Sequence, residues 1–232
     1  MLIGALQRFS LIDYPGKISC IVFTQGCNFR CPYCHNPELV EPSLFQPPFL
    51  PSLFFSFLKQ RIKKIDAVVI TGGEPTIQSN LLNFIREIKS LGFLIKLDTN
   101  GTNPQMLINL LDKELIDYIA MDIKAPLYLY KKAVGINIDD TLPQVIKKSI
   151  NIIINSKLDY EFRTTIVDKL LNKAHILEIA NLLKGAKKYI LQKFIPSKAL
   201  NQKYLHYSTL PEEELVYLTE ELNKYNIKSD VR

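Results

Sequence analysis

Three cysteines fall in one short run, Cys27-Asn28-Phe29-Arg30-Cys31-Pro32-Tyr33-Cys34, directly after the apolar run Ile18–Phe23. The C-x₃-C-x₂-C spacing puts three thiols on one loop, with no fourth cysteine close after them. Thiolates are soft ligands for iron–sulfur clusters and zinc. Three without a fourth suggest a cluster or metal left open at one position, which is where chemistry happens. A second motif, Thr71-Gly72-Gly73-Glu74-Pro75, follows the strand-like run Ala67–Ile70. A glycine pair after a strand is often only a turn, but glycine there also lets backbone approach a ligand closely. The two motifs together point to a cofactor-binding enzyme built at the ends of parallel strands.

Those loops need strands and helices to hold them. Short β-rich runs are expected at Ile18–Phe23, Ala67–Ile70, Leu94–Asp98, Tyr118–Asp122, Tyr160–Ile166 and Tyr189–Phe194. Amphipathic runs alternate with them at Leu50–Ile62, Asn80–Leu91, Pro104–Leu111, Leu142–Asn155, Ala174–Leu183 and Pro211–Tyr225. In the fourth, Leu142, Val145, Ile146, Ile150 and Ile153 recur at helical spacing. Gly92 and Gly185 read as helix stops. Pro211 followed by Glu212, Glu213 and Glu214 reads as a helix opening. Six βα units imply parallel strands with right-handed crossovers. A partial (β/α)6 TIM-like barrel in the α/β class fits that count, with a doubly wound sheet as the alternative. Either places a ligand at the C-terminal strand ends, where the cysteine loop, Thr71–Pro75, Asp98-Thr99-Asn100-Gly101 and Asp122-Ile123-Lys124 all fall. The proline-rich stretch Pro42–Pro51 reads as a connection, and Phe49, Leu53, Phe54, Phe57 and Leu58 as a face packed on the sheet.

The chain has 232 residues, 47% hydrophobic and 22% charged, which fits one globular domain over 1–232. Residues 1–14 carry Arg8 and Asp13 and lack the apolar core of a secretory signal. No apolar run is long enough for a membrane span. The expected location is therefore the cytoplasm. There are four cysteines, and the clustered ones, in a reducing compartment, point to ligands rather than disulfides. Cys20, inside Ile-Ser-Cys-Ile-Val-Phe, reads as a buried structural thiol. Net charge is +6. The lysines are scattered in pairs on helix faces, so no nucleic-acid stripe is expected.

The run Gln25–Pro37 resembles the cluster loop of radical S-adenosylmethionine (SAM) enzymes. The flanking segments Ser10-Leu11-Ile12-Asp13-Tyr14-Pro15-Gly16 and Cys34-His35-Asn36-Pro37-Glu38-Leu39 resemble glycyl-radical-enzyme activases. Among these, the segments favour activases of anaerobic ribonucleoside-triphosphate reductase over those of pyruvate formate-lyase. The resemblance runs from residue 1 to about Val167. It implies the radical SAM fold, with Cys27, Cys31 and Cys34 binding three irons of a [4Fe–4S] cluster and SAM taking the fourth. By the same resemblance Tyr33 lies near adenine, and His35 joins the cofactor-binding residues. Gly72, Gly73 and Glu74 form the second motif, with Glu74 accepting from the methionine ammonium. Asp122 and Lys124 would hold the ribose and carboxylate region, with Lys124 also counted as catalytic. Asp98 would order the site through a cation, with Asn100 beside it, and Arg163 is a further candidate. The implied partners are a glycyl radical enzyme and a flavodoxin or ferredoxin electron donor. One feature departs from the pattern: some activases carry a SAM-contacting histidine after the sixth strand, where this chain reads Phe194-Ile195-Pro196-Ser197-Lys198. His206, nearby, reads as a surface residue, and His175 as an exposed one at a helix opening.

Three rivals use the same residues. Cys31-Pro32-Tyr33-Cys34-His35 matches c-type haem attachment, which needs an exported protein and leaves Cys27 unexplained. Cys27, Cys31, Cys34 and His35 form a Cys₃His set for a non-catalytic zinc module, although adjacent Cys34 and His35 point apart. A redox Cys-x-x-Cys pair again leaves Cys27 idle. Within radical SAM enzymes, the alternative is a catalyst acting on a small molecule or nucleoside precursor.

Overall fold

The computed structural model describes every residue except Ile138. In chain order the elements are β1 (Ile3–Ser10), β2 (Ser19–Thr24), α1 (Pro37–Val40), α2 (Pro51–Lys59), β3 (Ala67–Gly72), α3 (Leu81–Ser90), β4 (Leu94–Thr99) and α4 (Pro104–Asp112). There follow β5 (Tyr118–Asp122), α5 (Tyr130–Val134), α6 (Leu142–Ile154), β6 (Asp159–Ile166), α7 (Lys173–Leu182), β7 (Lys188–Lys193), α8 (Glu212–Lys224) and β8 (Lys228–Val231). The strands follow one another in sheet order from β1 to β8. Pairs β2–β3, β3–β4, β6–β7 and β7–β8 are parallel, and β1–β2 is antiparallel. The fold is the expected α/β class with mostly parallel strands.

The six expected strands and six expected helices are all present, shifted by a few residues at their ends. Two strands, β1 and β8, come in addition. Their side chains carry little of the signal. In β1 only Ile3 and Ser10 are buried, and β8 has no buried residue, so backbone pairing rather than an apolar face defines them.

The chain divides into two compact units. The first comprises Met1–Asn28, Glu38–Thr99 and Asn103–Ile119. Here Ile21, Ala67, Val69, Tyr14 and Tyr118 form one apolar layer, with Phe23 and Leu94 against it. On α2 the buried residues are Phe54, Phe55 and Leu58, and Phe54 and Phe55 each lie 5.3 Å from the Phe84 ring of α3. The expected face thus shifts. Leu53 is exposed, Phe55 takes its place, and Phe57 is half-buried under the Arg61 guanidinium. Positions 54, 55 and 58 share one helix face, and packing of Phe54 and Phe55 on Phe84 turns that face inward.

The second unit comprises Phe29–Pro37, Asn100–Thr102 and Ala120–Arg232. Helix α8 opens with Glu212–Glu214 in its first turn, as expected, and buries Leu215, Leu218 and Leu222. His175 is not the exposed residue anticipated. It is half-buried and closes a capping box: Asn172 N–H donates to its Nδ1, and its own N–H donates to Asn172 Oδ1. His206 is at the surface. No helix among the described residues is long and apolar enough to cross a membrane.

Candidate active site

The first unit holds Cys27, Gly72, Gly73, Glu74 and Asp98. A Cβ on Gly73 would come within 2.0 Å of the Gly26 carbonyl oxygen, so glycine is what lets the end of β3 lie against the residue preceding Cys27. Glu74 N–H donates to that same oxygen at 2.9 Å. The Glu74 carboxylate is 1% exposed. Its Oε1 accepts from Thr76 N–H at 3.0 Å, from the Thr76 hydroxyl, and from Thr99 Oγ1 at 2.7 Å. The carboxylate therefore caps the turn Pro75–Ile77 and ties the end of β3 to the end of β4. Asp98 pairs with Lys96 on the same strand.

The second unit holds Cys31, Tyr33, Cys34, His35, Asn100, Asp122, Lys124 and Arg163. The cysteine loop is seated on α5: Arg30 N–H donates to Val134 O at 2.8 Å. Gly135 follows at φ +68°, and a Cβ there would meet the Arg30 carbonyl oxygen at 2.0 Å. Cys34 N–H donates to Cys31 O at 3.0 Å, closing a turn that carries both thiols. His35 is held by the residues after β7. Its ring stacks on Phe194 at 5.2 Å, and Nε2 lies 2.9 Å from Ile195 O. The residues after β7 thus hold the cysteine loop, and Asn201 N–H adds a bond to Pro32 O at 2.9 Å. Asn100 folds its own turn, accepting from Thr102 N–H and Oγ1.

Asp122 is the electrostatic centre of this unit. It accepts from Arg163 Nε at 2.8 Å and from Lys124 Nζ at 3.0 Å. Burial raises its pKa, but the Arg163 guanidinium and Lys124 ammonium outweigh it and hold the carboxyl well below the usual range. Burial works against the Lys124 ammonium too, yet Asp122, Tyr33 and Cys31 keep it charged well above its usual range. Burial pushes the Cys31 thiol up to about 11, with Lys124 opposing and Cys34 and Asp122 assisting. Tyr33 is 5% exposed, and its hydroxyl has no hydrogen-bond partner among the described residues. Sequence reasoning missed Tyr130, whose hydroxyl accepts from Lys124 N–H at 3.3 Å, and Gly135 under the loop. It also missed Lys96, although a lysine inside Leu-Ile-Lys-Leu-Asp-Thr was a visible irregularity.

The donor set fits an iron–sulfur cluster. A thiol that burial pushes up to about 11 keeps its proton near neutral pH until a soft cation binds the sulfur and displaces the proton to solvent. The orphaned Tyr33 hydroxyl, buried in the same group, is the kind of unmet polar atom that a bound molecule satisfies. Among the described residues no three His, Cys, Asp or Glu side chains converge as on a single metal ion. A four-iron cluster does not ask for that, because each cysteine meets its own iron.

The radical SAM superfamily profile matches residues 21–183. The chain belongs to the radical SAM superfamily. It is an enzyme of that superfamily, whose cofactors are a [4Fe–4S] cluster and SAM. A protein of Methanocaldococcus jannaschii provisionally named a glycyl-radical enzyme activating enzyme is 34% identical, over 97% of this chain and 92% of its own length. The pyruvate formate-lyase-activating enzyme of Listeria monocytogenes is 32% identical over 53% of this chain and 52% of its own. This places the chain with the glycyl-radical-enzyme activating group. A radical SAM methyltransferase from Sphaerobacter thermophilus has the same fold, with TM-score 0.72 at 17% identity over 97% of this chain and 68% of that one.

Proposed function

We propose that this protein generates a glycyl radical on anaerobic ribonucleoside-triphosphate reductase. The match over nearly the whole of an activating-enzyme relative is the observation that carries the activating role. The segments Ser10–Gly16 and Cys34–Leu39 support the choice of reductase. Exposed apolar side chains support a protein substrate: Phe9, Leu11 and Ile12 are 55%, 63% and 84% exposed beside a turn in which the Ser10 hydroxyl bonds the Asp13 carboxylate.

When bound, the cluster and SAM supply one-electron cleavage of a carbon–sulfur bond and hydrogen-atom abstraction from a glycine Cα. The chain's own residues bind and position. Cys27, Cys31 and Cys34 are the thiolate ligands. Lys124, held as a cation by Asp122, would attract the SAM carboxylate, while Arg163 holds Asp122 in place. Tyr33 would hold the adenine end of SAM, and its buried hydroxyl, without a partner among the described residues, would meet one in the ligand. Glu74 shapes the strand end that receives the methionine ammonium. Electrons come from a flavodoxin or ferredoxin, whose acidic surface suits a chain of net charge +6. A cytoplasmic location goes with this reading, since thiolate ligands call for a reducing compartment.

Anaerobic reconstitution with iron and sulfide, then dithionite, SAM and the purified reductase, tests this. The expected products are 5′-deoxyadenosine and a glycyl-radical doublet in the electron paramagnetic resonance spectrum of the reductase. Cys31→Ala should lose iron–sulfur absorbance and SAM cleavage together. SAM cleavage without a radical on any glycyl enzyme would instead favour a small-molecule substrate. Uptake of one zinc with SAM left intact would overturn the reading altogether.

A further inference from the structure

Residues 25–36 lie in no helix or strand, so no backbone ladder of their own holds the thiols in place. Within the second unit, the segment that follows β7 meets this loop at several points. Phe194 stacks on the His35 ring at 5.2 Å with the planes 4° apart, and Ile195 O lies 2.9 Å from His35 Nε2. Asn201 N–H donates to Pro32 O at 2.9 Å. Tyr204 then reaches the Tyr33 ring, with 6.3 Å between centres and 37° between planes. Tyr207 packs edge-on against Tyr204 at 4.9 Å. Both separations fall where tilted aromatic rings attract. Burial, Tyr207 and Cys31, in that order, raise the Tyr204 hydroxyl, so the Cys31 sulfur is among its neighbours. The contacts at Pro32, Tyr33 and His35 flank Cys31 and Cys34 along the chain. Cys31 is 8% exposed, whereas Cys27 and Cys34 are half-buried. Tyr204 itself is only half-buried, so its ring belongs to the edge of the site and not to the core.

We propose that Tyr204 is a positioning residue of the cysteine loop: its ring holds Tyr33 in place and closes over the Cys31 thiol. The ligand set is thereby arranged before a cluster enters, as a site held by a supporting layer of side chains requires. Tyr204 acts through Tyr33 and Cys31 and needs no contact with cluster or SAM. A half-exposed ring that served packing alone would leave the chemistry of one particular thiol unchanged on removal. The consequence for SAM rests on the roles given above to Tyr33 and the cysteines, whereas the effect on the thiol is measured on the protein alone.

The test is the rate at which iodoacetamide alkylates each cysteine of the cluster-free protein, resolved by peptide mass spectrometry at constant pH. Tyr204→Ala should speed alkylation of Cys31 about tenfold, because access controls the reaction of a buried thiol. Cys20, 0% exposed on β2, should keep its wild-type rate and so reports that the fold is intact. Tyr204→Phe keeps the ring and should behave as wild type. Tyr207→Ala, which removes only the ring behind Tyr204, should speed Cys31 by about threefold. A Tyr204→Ala protein with Cys31 alkylated at the wild-type rate overturns the proposal, as does a Tyr204→Phe protein as fast as Tyr204→Ala. If Cys20 also opens in Tyr204→Ala, the milder Tyr207→Ala decides, and an unchanged Cys31 rate there overturns it too. In the reconstituted enzyme, Tyr204→Ala should raise the KM for SAM about tenfold with kcat within about twofold of wild type. A fall in kcat at unchanged KM would overturn the action through Tyr33. Absence of SAM cleavage in all proteins would count against the function proposed above, while the alkylation rates would still report on Tyr204.

Discussion

Cys20 and Cys31 are both buried thiols, and burial acts on them in the same direction with different consequences. Cys31 sits beside the Lys124 ammonium in the candidate site, whereas Cys20 lies on β2 and is 0% exposed. Burial pushes Cys20 from 9.0 up to about 12. A group that holds its proton longer when folded stabilises below its unfolded pKa and loses that contribution as pH rises. Stability from Cys20 is therefore complete below pH 9 and declines toward pH 12, by up to about 1.4 kcal/mol per pH unit. Urea midpoints across this range should fall more steeply for wild type than for Cys20→Ala. The variant should start lower, by about 1 kcal/mol, from the small cavity left behind. Parallel curves would mean that Cys20 does not titrate on unfolding as its burial implies.

At the scale of elements, the cysteine loop depends on neighbours far away in the chain. Helix α5 ends against it, and Gly135 has room only for hydrogen where the Arg30 carbonyl passes. Gly135→Ala combines a left-handed φ with a backbone collision, so the loop must move. Iron incorporation should drop several-fold at a modest cost in stability, about 1–2 kcal/mol, read from iron content and urea unfolding. A second long-range tie closes β6 to β8. Glu161 is wholly buried and accepts both Arg232 Nη1 and Nη2 at 2.9 Å, with Lys188 at 3.3 Å. Arg232→Ala removes a bidentate cation from a buried carboxylate that keeps Lys188. The expected loss is about 3 kcal/mol, the low end for breaking a buried pair, because Lys188 remains. A loss below half of that in urea unfolding would show that Glu161 does not depend on Arg232.

For the whole molecule, the separable question is whether partner docking and SAM chemistry use different residues. Phe9, Leu11 and Ile12 are exposed apolar groups that contribute nothing to the core, so a charge there should be harmless to folding. Ile12→Asp should leave reductive SAM cleavage unchanged in the absence of the partner. It should raise the reductase concentration needed for half-maximal radical formation by about tenfold. Equal partner dependence in wild type and variant would move the docking surface elsewhere.

The α/β rhythm, the six parallel-type strands and the cysteine and Gly-Gly-Glu motifs were legible because apolar periodicity and ligand spacing are local properties of a chain. Asp122 with Lys124 was legible too, since residues two apart where a strand ends fall on one side of the chain. β1 and β8 were not, because backbone pairing leaves no side-chain pattern. Nor were the contacts of His35, which adjoins a cysteine in sequence but meets Phe194 and Ile195, or the exposure of Leu53, left outside when Phe54 and Phe55 pack on Phe84. The sequence by itself determined which groups carry the chemistry. The tertiary structure decided their charges and supports: the Arg163–Asp122–Lys124 linkage, the Gly135 seat and the Lys96–Asp98 pair. Each of these joins groups whose energies depend on burial and on partners brought close only by folding.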